Sequence, residues 1–387
     1  MKKIEPIYLD YAATTPVDPR VVKSMNGCLE MDGAFANPSS VHLPGQRAAQ
    51  MVSEARAAIA ARIHVRPQEI VFTSGATESD NLALKGILMG RGDRYGHLIT
   101  VKTEHKAVLD TAKVLDRAGF EVTYLDCDST GLIEVRQVAD ALKENTILVS
   151  VMHVNNEIGV IQPLPEIGQL CRSKGVLFHV DAAQSIGKVP LPLNEWCIDL
   201  VSLTSHKVYG PKGIGALYLH PSVQITPLVH GGEQERGLRA GTLSTHQIVG
   251  FGKAFELADT KNEAPKLEAL RARLWEGLKS IDGVRLNGHP DQRSPNILNV
   301  AIPGVEGESL RLATEDIAVS SGAACNTDSP EASYVLKALG LSDSLAQGSL
   351  RFSVGRFTTI DDIDRAIALM KKEVARLRVL ASFVPNW

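Results

Sequence analysis

From about Gly45 to Val229 the chain alternates continuous apolar runs with amphipathic stretches. Strands are predicted at 69–74 (EIVFTS), 97–101, 121–125, 146–154, 176–181, 198–205 and 213–219. Helices are predicted over roughly 45–63, 75–88, 105–118, 134–143 and 163–174. Runs that are apolar at every position belong to strands buried on both faces, and helices between them imply a mainly parallel sheet covered on both sides. After about residue 246 the pattern changes. Two helical stretches, 246–259 and 263–281, are followed by short strands at 284–287, 297–302 and 349–354. The closing segment 360–380 places Ile360, Ile363, Ile367 and Val374 at helical spacing. The predicted fold is a large α/β domain over 15–255 and a smaller α+β domain from 1–14 and 256–387. The first forty residues show no such period and are expected to be a loop that wraps one of the two.

Composition narrows the class. With 44% hydrophobic and 22% charged residues over 387 positions, the chain can bury a core without metal or disulfide staples. A net charge of −3 and 5% aromatics argue against a protein that coats nucleic acid. The five cysteines, 28, 127, 171, 197 and 325, form no CxxC and no Cys/His cluster of zinc spacing, so no metal site is predicted. An odd number of thiols in a large chain fits a reducing compartment, and the cytoplasm is the expectation. The opening MKKIEPIYLDYAATTP has no apolar h-region and is not expected to be a signal peptide. No apolar run reaches membrane-spanning length.

Four segments carry candidate chemistry. Lys207 follows an apolar strand and precedes Gly210-Pro211-Lys212-Gly213. It is either a solvated loop lysine or a partly desolvated amine suited to a Schiff base. Asp181, in His179-Val180-Asp181-Ala182-Ala183-Gln184, ends a buried strand. It either caps a short helix or meets a cation such as a protonated pyridine. Ser74-Gly75-Ala76-Thr77-Glu78 opens a helix, where backbone amides and the Thr77 hydroxyl can hold an anion or simply be capped. Taken together, an amine, a buried carboxylate and an anion cradle at strand ends of one sheet are what pyridoxal 5'-phosphate (PLP) requires. The fourth segment, Ser320-Ser321-Gly322-Ala323-Ala324-Cys325, sets a cysteine among small residues, either incidental or poised to react. The other cysteines fall in or beside helix and strand patterns and are expected to pack. His105, Asn155-Asn156-Glu157, Arg351 and the Gly-rich stretch 230–242 are further candidates, each with a structural alternative.

At these segments the chain resembles the NifS/IscS-type cysteine desulfurases of the class V aminotransferase group. The resemblance runs from Tyr8-Leu9-Asp10-Tyr11 to Arg356-Phe357-Thr358-Thr359. Its most specific blocks are FTSGATESDNLA, KTEHKAVLD, SVMHVNNEIG, FHVDAAQSIGK, HKVYGPKGIGALY and SSGAAC. The segment around Cys325 is similar to the long-loop, IscS-like branch. The chain departs from the common family pattern at Ser205, Glu233, Ala240 and residues 326–329.

The resemblance implies a PLP-dependent transferase fold of type I and a homodimer. Lys207 would hold PLP as a Schiff base, Asp181 would pair with its pyridine nitrogen, and Gln184 would bond its phenolic oxygen. His105 would stack on the ring, and Asn156 would line the pocket and meet substrate. Ala76, Thr77, Thr204 and His206 would bind the phosphate, joined by Thr242 from the second subunit. Arg351 would bind the carboxylate of L-cysteine, and Cys325 would accept sulfur as a persulfide. The implied reaction turns L-cysteine into L-alanine and passes sulfur to an acceptor protein. That acceptor is an iron–sulfur scaffold or an enzyme of tRNA or DNA thiolation. Housekeeping members carry a longer tail past the position of Trp387, so the thiolation branch stays open. The rivals are a selenocysteine lyase, an aminotransferase of the same fold, and a non-catalytic relay subunit. A transaminase has no use for Cys325, and Lys207, Asp181 and Cys325 together speak against a non-catalytic chain.

Overall fold

The computed structural model describes residues 6–91, 95–321 and 332–382. In chain order the elements begin with β1 (Ile7–Tyr8), α1 (Pro19–Asn26), α2 (Leu43–Arg62), β2 (Ile70–Thr73), α3 (Ala76–Leu88), β3 (His97–Val101), α4 (Lys106–Arg117), β4 (Glu121–Leu125), α5 (Val135–Ala141), β5 (Thr146–Ser150), α6 (Leu164–Lys174), β6 (Leu177–Asp181), β7 (Leu200–Thr204), β8 (Gly215–Leu219) and α7 (Thr245–Glu256). There follow α8 (Thr260–Leu278), β9 (Arg285–Asn287), β10 (Ile297–Ala301), α9 (Gly307–Ala313), β11 (Ile317–Ala318), β12 (Ser320–Ser321), α10 (Tyr334–Ala338), α11 (Asp343–Gln347), β13 (Ser349–Ser353) and α12 (Ile360–Ser382).

Seven strands form the large sheet in the order β2-β8-β7-β6-β5-β3-β4. All neighbours are parallel except at β8, which runs antiparallel to both β2 and β7. Alternate residues point to opposite faces, and both faces are apolar. Val71, Leu98, Leu148, Leu200 and Leu217 pack against α3 and α4. Phe72, Ile99, Val149, Phe178 and Val201 pack against α2, α6 and α7. Burial on both sides is the reason these strands are continuously hydrophobic. A second sheet, β12-β13-β10-β9, is antiparallel and covered by α8 and α12, whose leucines and isoleucines share one core with Leu298, Val300, Leu350 and Phe352. Ile7 and Leu9 from the start of the chain enter that same core.

The first forty residues are not merely loop. The pair β1–β11 anchors residues 7–8, and α1 starts at an Asp18 cap with Pro19 in its first turn. Asp-Pro is a helix-start signal, but eight residues are too few to establish a 3.6-residue period. The strand predicted at 146–154 stops at Ser150. Beyond it the backbone leaves the ladder, while the Val151 and His153 amides still donate to the His179 and Asp181 carbonyls. The short helices α9, α10 and α11 also escape the sequence pattern.

Candidate functional site

A cavity of about 530 Å³ opens at the C-terminal ends of β2, β5, β6 and β7. Strand ends of an open α/β sheet are where such a cavity is expected. Residues Ala12–Thr14 close it from the start of the chain, and Arg351 reaches it from β13. It brings together Ala76, Thr77, His105, Asn156, Asp181, Gln184, Thr204, His206, Lys207 and Arg351. Thr242 is exposed and does not line it, and Cys325 lies outside the described residues.

The Lys207 amine donates to the Ala12 carbonyl at 2.8 Å. The Gln184 amide donates to that same oxygen at 2.8 Å, which leaves its own Oε1 buried without a partner. Asn156 Oδ1 is likewise buried and unpartnered. Asp181 is 5% exposed, and its Oδ1 accepts the Ala183 amide at 2.9 Å. The turn bond expected of a capping aspartate is therefore made, and the carboxylate still faces the cavity.

His105 caps α4, its Nδ1 accepting the Ala107 amide at 3.1 Å. Burial pushes its imidazole below the ordinary value, against the pull of Asp181. His206 is pushed down to about 4, first by burial and then by the cations of Lys207, Lys212 and Lys188. Both rings are thus neutral near pH 7. His206 is held by Thr14 Oγ1 at 3.1 Å from its Nδ1.

At the opposite end α3 begins after Gly75 with no side-chain cap. Its first amides therefore face the cavity unserved, beside the hydroxyls of Thr77 and Thr204. The close approach behind this turn needs Gly215. A Cβ there would meet Leu203 O at 2.5 Å and Gly75 Cα at 2.6 Å.

Arg351 is 3% exposed. Its Nη1 donates to the Asn156 carbonyl at 2.9 Å, and its Nη2 donates to Asp10 Oδ1 at 2.8 Å and Ser320 Oγ at 3.0 Å. The structural ion pair and the cavity-lining position, alternatives in the sequence, coexist.

Four buried groups were not singled out by the sequence. Asp80, on α3, lines the cavity floor with neither oxygen hydrogen-bonded. Burial first, then the nearby Asp181, holds its carboxyl well above the usual range. His179 shares a sheet face with Asp181 two residues on. Its ring is fixed by Ser150 at 2.8 Å and Ser202 at 3.0 Å, and its Nε2 lies 3.6 Å from Asp80 Oδ1. Glu104 is fully buried, accepts the Met152 amide at 2.6 Å, and is also raised by burial. Lys188 donates to the Lys207 carbonyl at 3.1 Å from a buried position. Each lies inside a motif block, but only the folded backbone aims it at the site.

The remaining cysteines pack as the sequence suggested. Burial pushes the Cys127 thiol up to about 11 and Cys171 to about 12, so neither offers a thiolate near neutral pH. No helix among the described residues is long and apolar enough to cross a membrane.

An amine, a carboxylate and an uncapped helix start in one cavity fit PLP. Residues 7–366 match the family model for class V aminotransferases. The chain is 54% identical to the cysteine desulfurase IscS of Klebsiella pneumoniae over 387 residues, 99% of this chain and 95% of that protein. The IscS of Proteus mirabilis matches to the same extent. Among solved structures, a NifS-like protein superposes with a TM-score of 0.90 at 37% identity, covering 96% of this chain and all of that one. SspA in complex with cysteine gives 0.82 at 40% identity over 91% of this chain and 99% of its own. DndA from Streptomyces lividans gives 0.75 at 40% identity over 89% and 99%. The chain therefore belongs to the cysteine desulfurases, sulfur-transferring enzymes of the PLP-dependent class V aminotransferase family.

Proposed function

We propose that this chain binds PLP through Lys207 and desulfurates L-cysteine in the cavity described above, with Cys325 as sulfur acceptor. The convergence of Lys207, Asp181 and the uncapped start of α3 on one cavity carries this reading. Bound PLP would draw electrons from the substrate Cα through its protonated ring. Asp181 would hold the pyridine proton, and Gln184 and Asn156 would turn amide N–H groups, not oxygens, toward the oxygen at the ring's other edge. Ala76, Thr77, Thr204 and His206 would cradle the phosphate, and the neutral ring of His105 would stack above. Arg351 would grip the substrate carboxylate and orient Cα toward Lys207, whose amine would carry the Cα proton. The Cys325 thiolate would attack the substrate sulfur, forming an S–S bond as the C–S bond breaks and leaving L-alanine. The resulting persulfide would pass to a sulfur-acceptor protein, either a scaffold for iron–sulfur clusters or a thiolation enzyme, in the cytoplasm. Thr242, exposed in one chain, would complete the phosphate site of a second copy, so the working unit is a homodimer.

The test is alanine and sulfide release by purified protein given L-cysteine and a thiol reductant. Wild type should form both in equal amounts. Cys325→Ala should keep bound PLP and lose alanine formation, and Lys207→Ala should lose the absorbance of lysine-bound PLP. A Cys325→Ala protein that forms alanine at the wild-type rate would overturn the assignment of the acceptor.

A further inference from the structure

The proposed mechanism gives Arg351 a substrate carboxylate, yet in this structure Arg351 already has one. Its Nη2 donates to Asp10 Oδ1 at 2.8 Å, and the Ser320 hydroxyl donates to Asp10 Oδ2 at 3.0 Å while accepting from the same Nη2 at 3.0 Å. Asp10, Arg351 and Ser320 form a closed ring of hydrogen bonds. Nη1 is committed to the Asn156 carbonyl, and Nε alone is buried without a partner. The side chain of Asp10 is 19% exposed and that of Arg351 is 3% exposed. The pair is therefore nearly desolvated, where a charge left without its counter-ion is strongly disfavoured.

Asp10 is held in place by backbone. Residues 7–8 pair with β11, Asp10 bridges Ser353 of β13, and its carbonyl accepts the Ala13 amide at 3.0 Å. Two residues on, Ala12 supplies the carbonyl shared by Lys207 and Gln184. One short segment thus touches the carboxylate site and the lysine.

We infer that Asp10 is a positioning residue that fixes the Arg351 guanidinium and, as its resident counter-ion, competes with the incoming carboxylate. This rests on the reading of Arg351 as the substrate-carboxylate group. With Asp10 in place the site presents directional donors but little net charge, so amino acids bind loosely and alanine leaves readily. Without that charge, Arg351 is buried and uncompensated, and any carboxylate that reaches it is held more tightly. A merely structural role for Asp10 predicts the opposite, because a loosened site binds less.

The experiment is calorimetric titration of PLP-loaded protein with L-alanine and, separately, with L-alaninamide, which lacks the carboxylate. Asp10→Asn should tighten L-alanine binding at least threefold and leave L-alaninamide unchanged, while kcat falls and KM for L-cysteine falls with it. Asp10→Ser is a second neutral variant should Asn fail to fold. Unchanged or weaker L-alanine binding by a folded variant overturns the proposal, as does equal tightening of both ligands. Arg351→Met separates the two readings. If it loses the preference for L-alanine over L-alaninamide, Arg351 is the carboxylate group and the Asp10 result stands on its own. If it keeps that preference, the role of Arg351 falls, and the Asp10 proposal with it.

Discussion

Lys188 offers the sharpest test of the electrostatics behind the site. Its amine is buried and donates to the Lys207 carbonyl at 3.1 Å. Burial first, and the Lys207 charge second, pull its pKa from 10.5 down to about 7. At roughly 1.4 kcal/mol per tenfold, that depression costs the folded state about 4 to 5 kcal/mol at pH 7 and about 3 kcal/mol at pH 8. The sign is fixed by proton counting. Between about pH 7 and 10.5 the unfolded chain holds a proton on Lys188 that the folded chain has released, so stability rises with pH across that window. Lys188→Met removes the penalty, keeps most of the volume, and forfeits a hydrogen bond worth about 1 kcal/mol. Urea unfolding of the PLP-free proteins should therefore find the variant more stable by about 3 kcal/mol at pH 7. The gap should close by pH 10 and then favour wild type. Its PLP affinity should fall, because the Lys207 backbone loses its tether. A gap that stays constant from pH 7 to 10, or a variant less stable at pH 7, refutes the reasoning.

Other outcomes follow from the same structure. His153 is fully buried against Trp196, and burial alone pushes it down to about 3. Below pH 6.5 only the unfolded chain takes up its proton, so wild type should lose about 2 kcal/mol relative to His153→Gln between pH 6.5 and 5, read from urea midpoints. A difference independent of pH would show that His153 titrates normally. Gly215→Ala drives a Cβ into the Leu203 carbonyl and Gly75, both backbone, and should weaken PLP binding at least tenfold by fluorescence titration while costing about 1–3 kcal/mol. Glu235→Ala strips both oxygens from Arg56, at 2.8 and 2.5 Å, and the acceptor of the Phe72 amide. It should lower stability by about 2–4 kcal/mol in a thermal or urea melt, since it takes the carboxylate from a half-buried Arg56 and leaves the buried Phe72 amide without its acceptor.

The legible part of this fold is the part written by local burial. The inner strands of the large sheet are apolar on both faces, and the helices between them repeat with a 3.6-residue period, so both survive without knowledge of neighbours. The eight-residue α1 does not, because its burial rests on Val21 alone. The site divides in the same way. Asp181 announces itself because a polar residue at the end of an apolar strand is costly without a reason, and Lys207 and the Thr77 turn gain meaning only beside it. Asp10 does not, because its reason lies 341 residues away at Arg351. Ala12 carries no signal whatever, since its contribution is a carbonyl oxygen that any residue would supply. Thr242 is exposed in one chain, and nothing in the sequence itself says what it faces.

The floor of the cavity shows why those distant contacts matter. Three carboxyl groups, Asp80, Glu104 and Asp181, lie within electrostatic reach of one another. Were all three ionised, their mutual repulsion would be severe at low dielectric. Burial disfavours charge on two of them. Burial holds the carboxyls of both Asp80 and Glu104 well above the usual range, and Glu104 accepts the Met152 amide. Asp181 accepts an amide at its strand end and faces the open cavity. The neutral ring of His179, fixed by two serine hydroxyls, adds no cation that would draw a proton from Asp80. Burial thus disfavours charge on Asp80 and Glu104, and the carboxyl group that faces a cationic pyridine in the open cavity is that of Asp181. A point acceptor orients a ring, whereas a patch only attracts it.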